Sequence, residues 1–386
     1  MIVKTPIYLD SNSTTKTDKR VVEAMIPYLS DNYGNSSSNH SFGWIAKSAV
    51  ENARDLIANF LKVNSKEIIF TSGATESINI VHLGLADYLL KNNGTIVTTN
   101  IEHSASVESL GFLESRGIKV KTIGVTQEGL IDSNKIISAI DESTKLISLI
   151  YANNEIGTIN DIEAVSNYCK NKDILIHVDA TQVIGKLRIN LSKLNVDFVS
   201  FTAHKLYGPK GIGALFIKSE RQYSLLKNII WGGTQERNIR PGTSNVPSIV
   251  GFGKAIEILD SELEDDYEHT ISLRDRLYKN IISNLDDVKI NGSITSRLPN
   301  NLNLLIEKVK ADKLMLELRD LAFSNSSACA SGSSKPSRIL KAIGLSDEQA
   351  LSSVRFGISK FNTIEEIDYS AERIIEAINK IRQLNH

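Results

Sequence analysis

Between Glu67 and Lys218 the chain alternates short apolar runs with stretches of helical spacing, and this rhythm constrains the fold more than any other feature. Seven runs stand out: Ile68 to Phe70, Ile96-Val97, Val120 to Val125, Leu146 to Tyr151, Leu175 to Val178, Phe198 to Phe201 and Ala214 to Ile217. Strands buried on both faces read as continuous apolar runs, and strands separated by helical segments pair mostly in parallel. The segment therefore predicts an α/β fold with a largely parallel sheet covered by helices. Ahead of it, Ala46, Ala49, Val50, Ala53, Leu56, Ile57, Phe60 and Leu61 recur at helical spacing and predict one amphipathic helix packed on that sheet.

At 386 residues the chain exceeds the size at which a single core stops growing, which predicts two domains. The texture changes after the turn-rich stretch Trp231 to Pro247. A long helical pattern, Ile249 to Leu285, then carries the acidic run Glu262 to Asp266, read as a solvated helix face. A boundary near Glu257 gives a large domain of residues 13–257 and a small α+β domain of residues 1–12 with 258–386. Helices are predicted over Asp312 to Leu318, Lys335 to Ala342 and Ile364 to Leu384, and the Ser/Ala/Gly-rich segment 324–334 contains Cys329.

Charge and cysteine usage exclude several classes of function. Forty-four Lys and Arg residues against 45 Asp and Glu leave a net charge of -1, without the strong phosphate attraction behind nonspecific nucleic-acid or anionic-membrane binding. The two cysteines, Cys169 and Cys329, are far apart, which speaks against a disulfide framework or a thiolate zinc site and for a reducing cytoplasm. No apolar stretch has the length of a signal-peptide core or a membrane span, so the chain is expected to be neither exported nor embedded.

In open α/β sheets ligands bind beyond the carboxyl ends of the strands, so the residues that end each run carry the functional information. Ile69-Phe70 is followed by Thr71 to Glu76, small residues turning a strand into a helix whose first amides attract a phosphate. The same residues serve equally as an N-cap by Ser72 or Thr75. Leu175 to Val178 ends in Asp179, a carboxylate at the mouth of a buried sheet, where it needs a cationic partner or caps the next helix. Phe198 to Phe201 leads through Thr202 and Ala203 to His204-Lys205, where a desolvated lysine loses basicity and becomes a nucleophile for an aldehyde. A surface lysine is the alternative. The glycines Gly208, Gly211 and Gly213 fit neither a dinucleotide fingerprint nor a Walker loop.

In this order these pieces resemble the fold type I pyridoxal phosphate enzymes, whose type is aspartate aminotransferase, and specifically the NifS/IscS-like cysteine desulfurases of the first group. The resemblance spans nearly the whole chain. It is carried by Tyr8-Leu9-Asp10 with Thr14-Thr15, Gly34-Asn35 with His40, Thr71 to Glu76, Glu102-His103, Asn153 to Gly157, His177 to Gln182, His204-Lys205, Gln235 to Arg237, Arg240 to Thr243, Ser327-Ala328-Cys329 and Val354 to Phe356. It implies a large domain with a mostly parallel seven-stranded sheet sandwiched by helices, a small α+β domain and a homodimer. Residue by residue, it implies that Lys205 holds pyridoxal 5'-phosphate covalently and moves protons, that Asp179 pairs with the pyridinium nitrogen, and that His103 lies over the ring and serves in acid-base steps. Asn154 and Gln182 would bond the ring edge. Ala74, Thr75, Thr202 and His204 would bind the phosphate, with Thr243 reaching over from a second subunit.

The resemblance further makes Arg355 the clamp for the substrate carboxylate, with Asn35 a lesser candidate. Cys329 would take sulfur from L-cysteine as a persulfide and release L-alanine, its thiol needing activation from a reference pKa of about 8.5. Cys169, within Val165 to Cys169, reads as a small buried apolar residue. Ser13, Ser36, Thr234 and Lys335 depart from the family pattern, where alanine, proline, glycine and glutamate are usual. The chain ends soon after its last helix, without the longer tail some members use to dock a scaffold. The sulfur acceptor stays open among iron-sulfur cluster assembly, tRNA thiolation and DNA phosphorothioation. A related lyase or transaminase, such as a selenocysteine lyase, and a catalytically silent α/β platform are the rival readings.

Overall fold

The structure, a computed structural model, describes residues 3–325 and 335–384. Its centre is a seven-stranded sheet of β1 (Ile68–Thr71), β2 (Thr95–Thr99), β3 (Lys119–Ile123), β4 (Thr144–Ile150), β5 (Leu175–Asp179), β6 (Phe198–Thr202) and β7 (Gly213–Ile217), in the spatial order β1-β7-β6-β5-β4-β2-β3. The five strands from β3 to β6 in that row pair in parallel, whereas β7 runs antiparallel to both its neighbours. The reason is chain length. Parallel pairing needs a crossover of about a dozen residues or more, and residues 203–212 are too few and fold as a tight turn instead.

Six helices matter for the site: α1 (Ser41–Leu61), α2 (Ala74–Gly84), α3 (Ser104–Ser115), α4 (Val246–Ile282), α5 (Arg338–Ala342) and α6 (Ile364–Leu384). The apolar stripe of α1 and the first half of α4 pack on one face of the sheet against Phe70, Val97, Ile147, Val178, Phe201 and Phe216. At their crossing Gly253 of α4 lies so close that a Cβ there would stand 2.8 Å from the Cα of Ala53. Ile80 and Val81 of α2 and Leu110 and Leu113 of α3 cover the other face, over Ile69, Ile96, Leu146 and Leu215. Apart from the edge strand β3, whose residues are exposed or half-buried, both faces of the sheet are therefore dry, which is why those strands read as largely apolar runs.

A second sheet, β8 (Val288–Ile290), β9 (Asn301–Ile306), β10 (Ser324–Asn325) and β11 (Ser353–Gly357), is antiparallel in the order β10-β11-β9-β8. It packs on α6 and the second half of α4, and Ile7 and Leu9 from the start of the chain enter the same core. Residue 257 lies inside α4, whose first half serves the first core and whose second half serves the other. Among the described residues no helix is long and apolar enough to cross a membrane.

Candidate active site

The carboxyl ends of β1, β4, β5 and β6 open into a cavity of about 510 Å³. Its walls bring together Ala74, Thr75, His103, Asn154, Asp179, Gln182, Thr202, His204, Lys205 and Arg355, residues drawn from six separate segments of the chain. Asn35 and Thr243 lie outside this cavity: the Asn35 Oδ1 accepts from Ser37 N at 2.9 Å, and Thr243 is exposed. Cys329 lies outside the described residues.

Lys205 sits in a short turn directly after β6. The segment 10–15 straps this turn. Thr15 N donates to the His204 carbonyl at 2.9 Å and Thr15 Oγ1 accepts from Tyr207 N at 2.8 Å. Lys205 Nζ donates to the carbonyls of Asn12 and Ser13, both at 2.6 Å. Gln182 Nε2 donates to the same Asn12 carbonyl at 3.1 Å, while the Gln182 Oε1 is buried without a partner. His204 Nδ1 lies 3.1 Å from Thr14 Oγ1, and burial beside Lys205, Lys210 and Lys186 pushes its pKa down to about 4, so its ring is neutral.

Asp179 ends β5, paired with Ile150 and Ser200, and is 3 % exposed. One of its oxygens accepts from Thr181 N at 3.0 Å, which fixes the carboxylate at the sheet's mouth. His103 caps α3: its Nδ1 accepts from Ala105 N at 3.1 Å, so the neutral ring carries its proton on Nε2. Burial lowers the His103 pKa, outweighing the Asp179 charge that raises it.

The start of α2 departs from the sequence expectation that Ser72 or Thr75 caps it. Gly73 is the N-cap, at φ 158°, and no side chain bonds the first amides. Glu76 instead turns back to accept from Ser72 N and, at 3.1 Å, from Arg240 Nε. Gly213 of β7 backs onto this turn so closely that a Cβ would lie 2.7 Å from the Gly73 Cα. The uncapped amides beside Thr75 line the cavity edge and are able to take an anion, while the Thr202 hydroxyl next to them donates to the Ile212 carbonyl at 3.0 Å.

Arg355 of β11 enters from the second core and is 2 % exposed. Its Nη2 donates to Asp10 Oδ1 at 2.8 Å and to Ser13 Oγ at 2.6 Å, and Nη1 donates to the Asn154 carbonyl at 3.2 Å. Its Nε has no partner. Beneath the site Glu102, 1 % exposed, accepts at Oε1 from Thr99 Oγ1 at 2.5 Å and from Ile150 N at 3.1 Å, while Oε2 is unpartnered.

Residues 7–369 match the Aminotransferase class-V family. The chain belongs to it. A protein named cysteine desulfurase IscS from Stutzerimonas stutzeri (strain A1501) is 44 % identical over 386 residues, 99 % of this chain and 95 % of that one. A solved NifS-like protein superposes with a TM-score of 0.90 at 37 % identity, covering 97 % of this chain and 99 % of the other. A structure described as SspA in complex with cysteine gives 0.83 at 36 % identity, over 92 % and 100 %. Class-V aminotransferases are a pyridoxal-phosphate-dependent family.

The contacts of segment 10–15 with Lys205 and Arg355 were not legible in the sequence. They join residues about 190 and 340 positions apart, and no local periodicity marks such a contact.

Proposed function

We propose that this chain is a pyridoxal 5'-phosphate-dependent cysteine desulfurase, converting L-cysteine to L-alanine and passing the sulfur, as a persulfide on Cys329, to an acceptor thiol. The observation that carries the reading is one cavity holding a lysine amine, a strand-end carboxylate, an uncapped helix start and a buried guanidinium.

The donor set fits the cofactor. The bare amides of α2, with Ala74, Thr75, Thr202 and His204, suit the phosphate. The orphaned Gln182 Oε1 awaits a donor, and Asp179 is the one acid lining the cavity beside Lys205 apart from Glu76, which Arg240 occupies. Lys205 Nζ would be the attachment point, Asp179 would hold the ring nitrogen protonated, and Asn154 and Gln182 would bond the ring edge. Once bound, the cofactor supplies an electron sink for the bonds broken at the substrate's α carbon. Lys205 Nζ takes the α proton and later returns it. His103, neutral with its proton on Nε2, would cover the ring and serve as acid-base partner. Arg355 would fix the substrate carboxylate, whereas Asn35, outside the cavity, is given no part in that contact.

Cys329, by its motif Ser327-Ala328-Cys329, attacks the substrate sulfur as a thiolate: the new S–S bond forms as the Cβ–S bond breaks, and the three-carbon product leaves as alanine after protonation. In a homodimer the exposed Thr243 would be the residue that helps hold the phosphate in the partner subunit's site. The cytoplasm is the proposed location and the acceptor a protein of iron-sulfur cluster assembly, tRNA thiolation or DNA phosphorothioation. A single turnover without added thiol tests the relay: wild type forms one alanine and a persulfide on Cys329 by mass, and Cys329→Ser forms neither. Equal sulfur transfer from both proteins would refute it.

A further inference from the structure

Resting on the reading of Arg355 as the carboxylate clamp, we infer that the hydroxyl of Ser13 occupies that clamp in the resting site and sets the enzyme's affinity for amino-acid carboxylates. The argument begins with the geometry of a guanidinium. A carboxylate is gripped by two parallel N–H groups, and only two such forks exist, Nε with Nη2 and Nη1 with Nη2. Both need Nη2. In this structure both protons of Nη2 are taken, one by the Asp10 carboxylate at 2.8 Å and one by Ser13 Oγ at 2.6 Å. The remaining donors, Nε without a partner and Nη1 holding the Asn154 carbonyl at 3.2 Å, belong to different forks. Two-point binding of a substrate therefore requires Nη2 to exchange one partner.

Ser13 is the partner that leaves. Asp10 is a formal anion paired with a cation that is 2 % exposed, and separating them leaves a buried charge alone. Its backbone is also fixed, since Asp10 bridges to Gly357 and its carbonyl accepts from Ser13 N at 2.9 Å. The Ser13 hydroxyl is neutral, turns about a single bond, and already donates to Asp10 Oδ1 at 3.0 Å, a bond it can keep while releasing Arg355. Ser13 lines the cavity beside Arg355, so the place it holds is one a substrate oxygen can take. Every amino acid that binds must break a hydrogen bond from a charged donor to a neutral acceptor, and removing that competitor strengthens binding about ten-fold or more.

The test is a spectral titration of holoprotein with L-alanine and with ethylamine, which is alanine without its carboxylate. In Ser13→Ala the dissociation constant for L-alanine falls about ten-fold or more, that for ethylamine stays put, and KM for L-cysteine falls with the former. Ser13→Thr, which keeps the hydroxyl, retains wild-type alanine affinity. Unchanged or weaker alanine binding by Ser13→Ala overturns the inference, as does an equal gain for ethylamine, which would report general loosening of the site. Arg355→Gln separates the layers: if it binds L-alanine as wild type does, the clamp reading itself falls, whereas loss of alanine binding with no Ser13 effect overturns the exchange alone.

Discussion

Glu102 offers the sharpest quantitative test of the site's electrostatics. Its carboxyl is enclosed beneath His103, with one oxygen bonded and the other unpartnered, and burial pushes its pKa from the ordinary 4.5 up to about 8. Bonds from Thr99 and Ile150 oppose the shift, the nearby Asp179 charge adds to it, and Arg338 reduces it. Between those two values the native state holds a proton that the unfolded chain has released. The native state binds the extra proton, so this group's contribution to stability falls as pH rises, by at most about 1.4 kcal/mol per unit. From about pH 5.5 to about pH 7.5 the loss amounts to roughly 2.5 kcal/mol. In Glu102→Gln the amide oxygen still accepts from Thr99 and Ile150 but cannot ionise. The stability of wild type relative to Glu102→Gln should therefore drop by that amount across the two pH values. Urea unfolding of both proteins, at matched protein and cofactor concentration, reads the difference, and whatever constant offset the amide introduces cancels. A gap that is the same at both pH values within about 0.5 kcal/mol, or that widens in favour of wild type as pH rises, refutes the assignment of Glu102 as a neutral acid.

Two further outcomes follow from packing. Arg54 holds Glu236 through two bonds of 2.8 Å with both side chains nearly buried, and Glu236 also accepts from Phe70 N at 2.8 Å, so Glu236→Ala leaves Arg54 only the half-exposed Glu51 carboxylate at 3.2 Å and the Ile68 carbonyl, and should cost about 1.5–3 kcal/mol by urea unfolding. A loss below about 1 kcal/mol would show that the pair is not buried in solution. Gly213→Ala places a Cβ 2.7 Å from the Gly73 Cα and presses on the start of α2; overpacking of about 1–3 kcal/mol there should weaken pyridoxal phosphate binding about ten-fold or more while far-ultraviolet circular dichroism stays native. Undiminished affinity in the reconstituted variant would remove the α2 turn from the phosphate seat.

Much of the scaffold could be read before the structure because burial on both faces leaves so plain a trace. Each of the seven apolar runs lies on a strand, with β3 shifted to Lys119–Ile123, and α6 spans Ile364–Leu384 as its periodicity requires. The long helix begins at Val246, not Ile249, because Asn245 caps it through Ser248 N and Pro247 fits its first turn. α1 likewise starts earlier, at Ser41, where His40 Nδ1 accepts from Gly43 N at 3.3 Å. Caps of this kind depend on one rotamer and carry no periodic signal. In the site, Asp179, Lys205 and the α2 turn were legible because they directly follow strands. The uncapped state of α2 was not, since Ser72 and Thr75 are capable caps by composition, yet Gly73 stands at the N-cap. Nor was the strap of residues 10–15, whose consequences for Arg355 rest on contacts across the whole length of the chain.

The 37-residue helix α4, about 55 Å long, contributes Ile249, Phe252 and Ile256 to one core and Leu273, Leu277 and Ile281 to the other. It acts as a common keel. Melting either core would strip that half of the helix of its apolar cover while the other half stays clamped, so the two ought to fail together on heating. Dividing the chain at residue 257 would cut the keel itself, leaving each fragment with a raw greasy stump, and aggregation, not a pair of independent folding units, is the expected result.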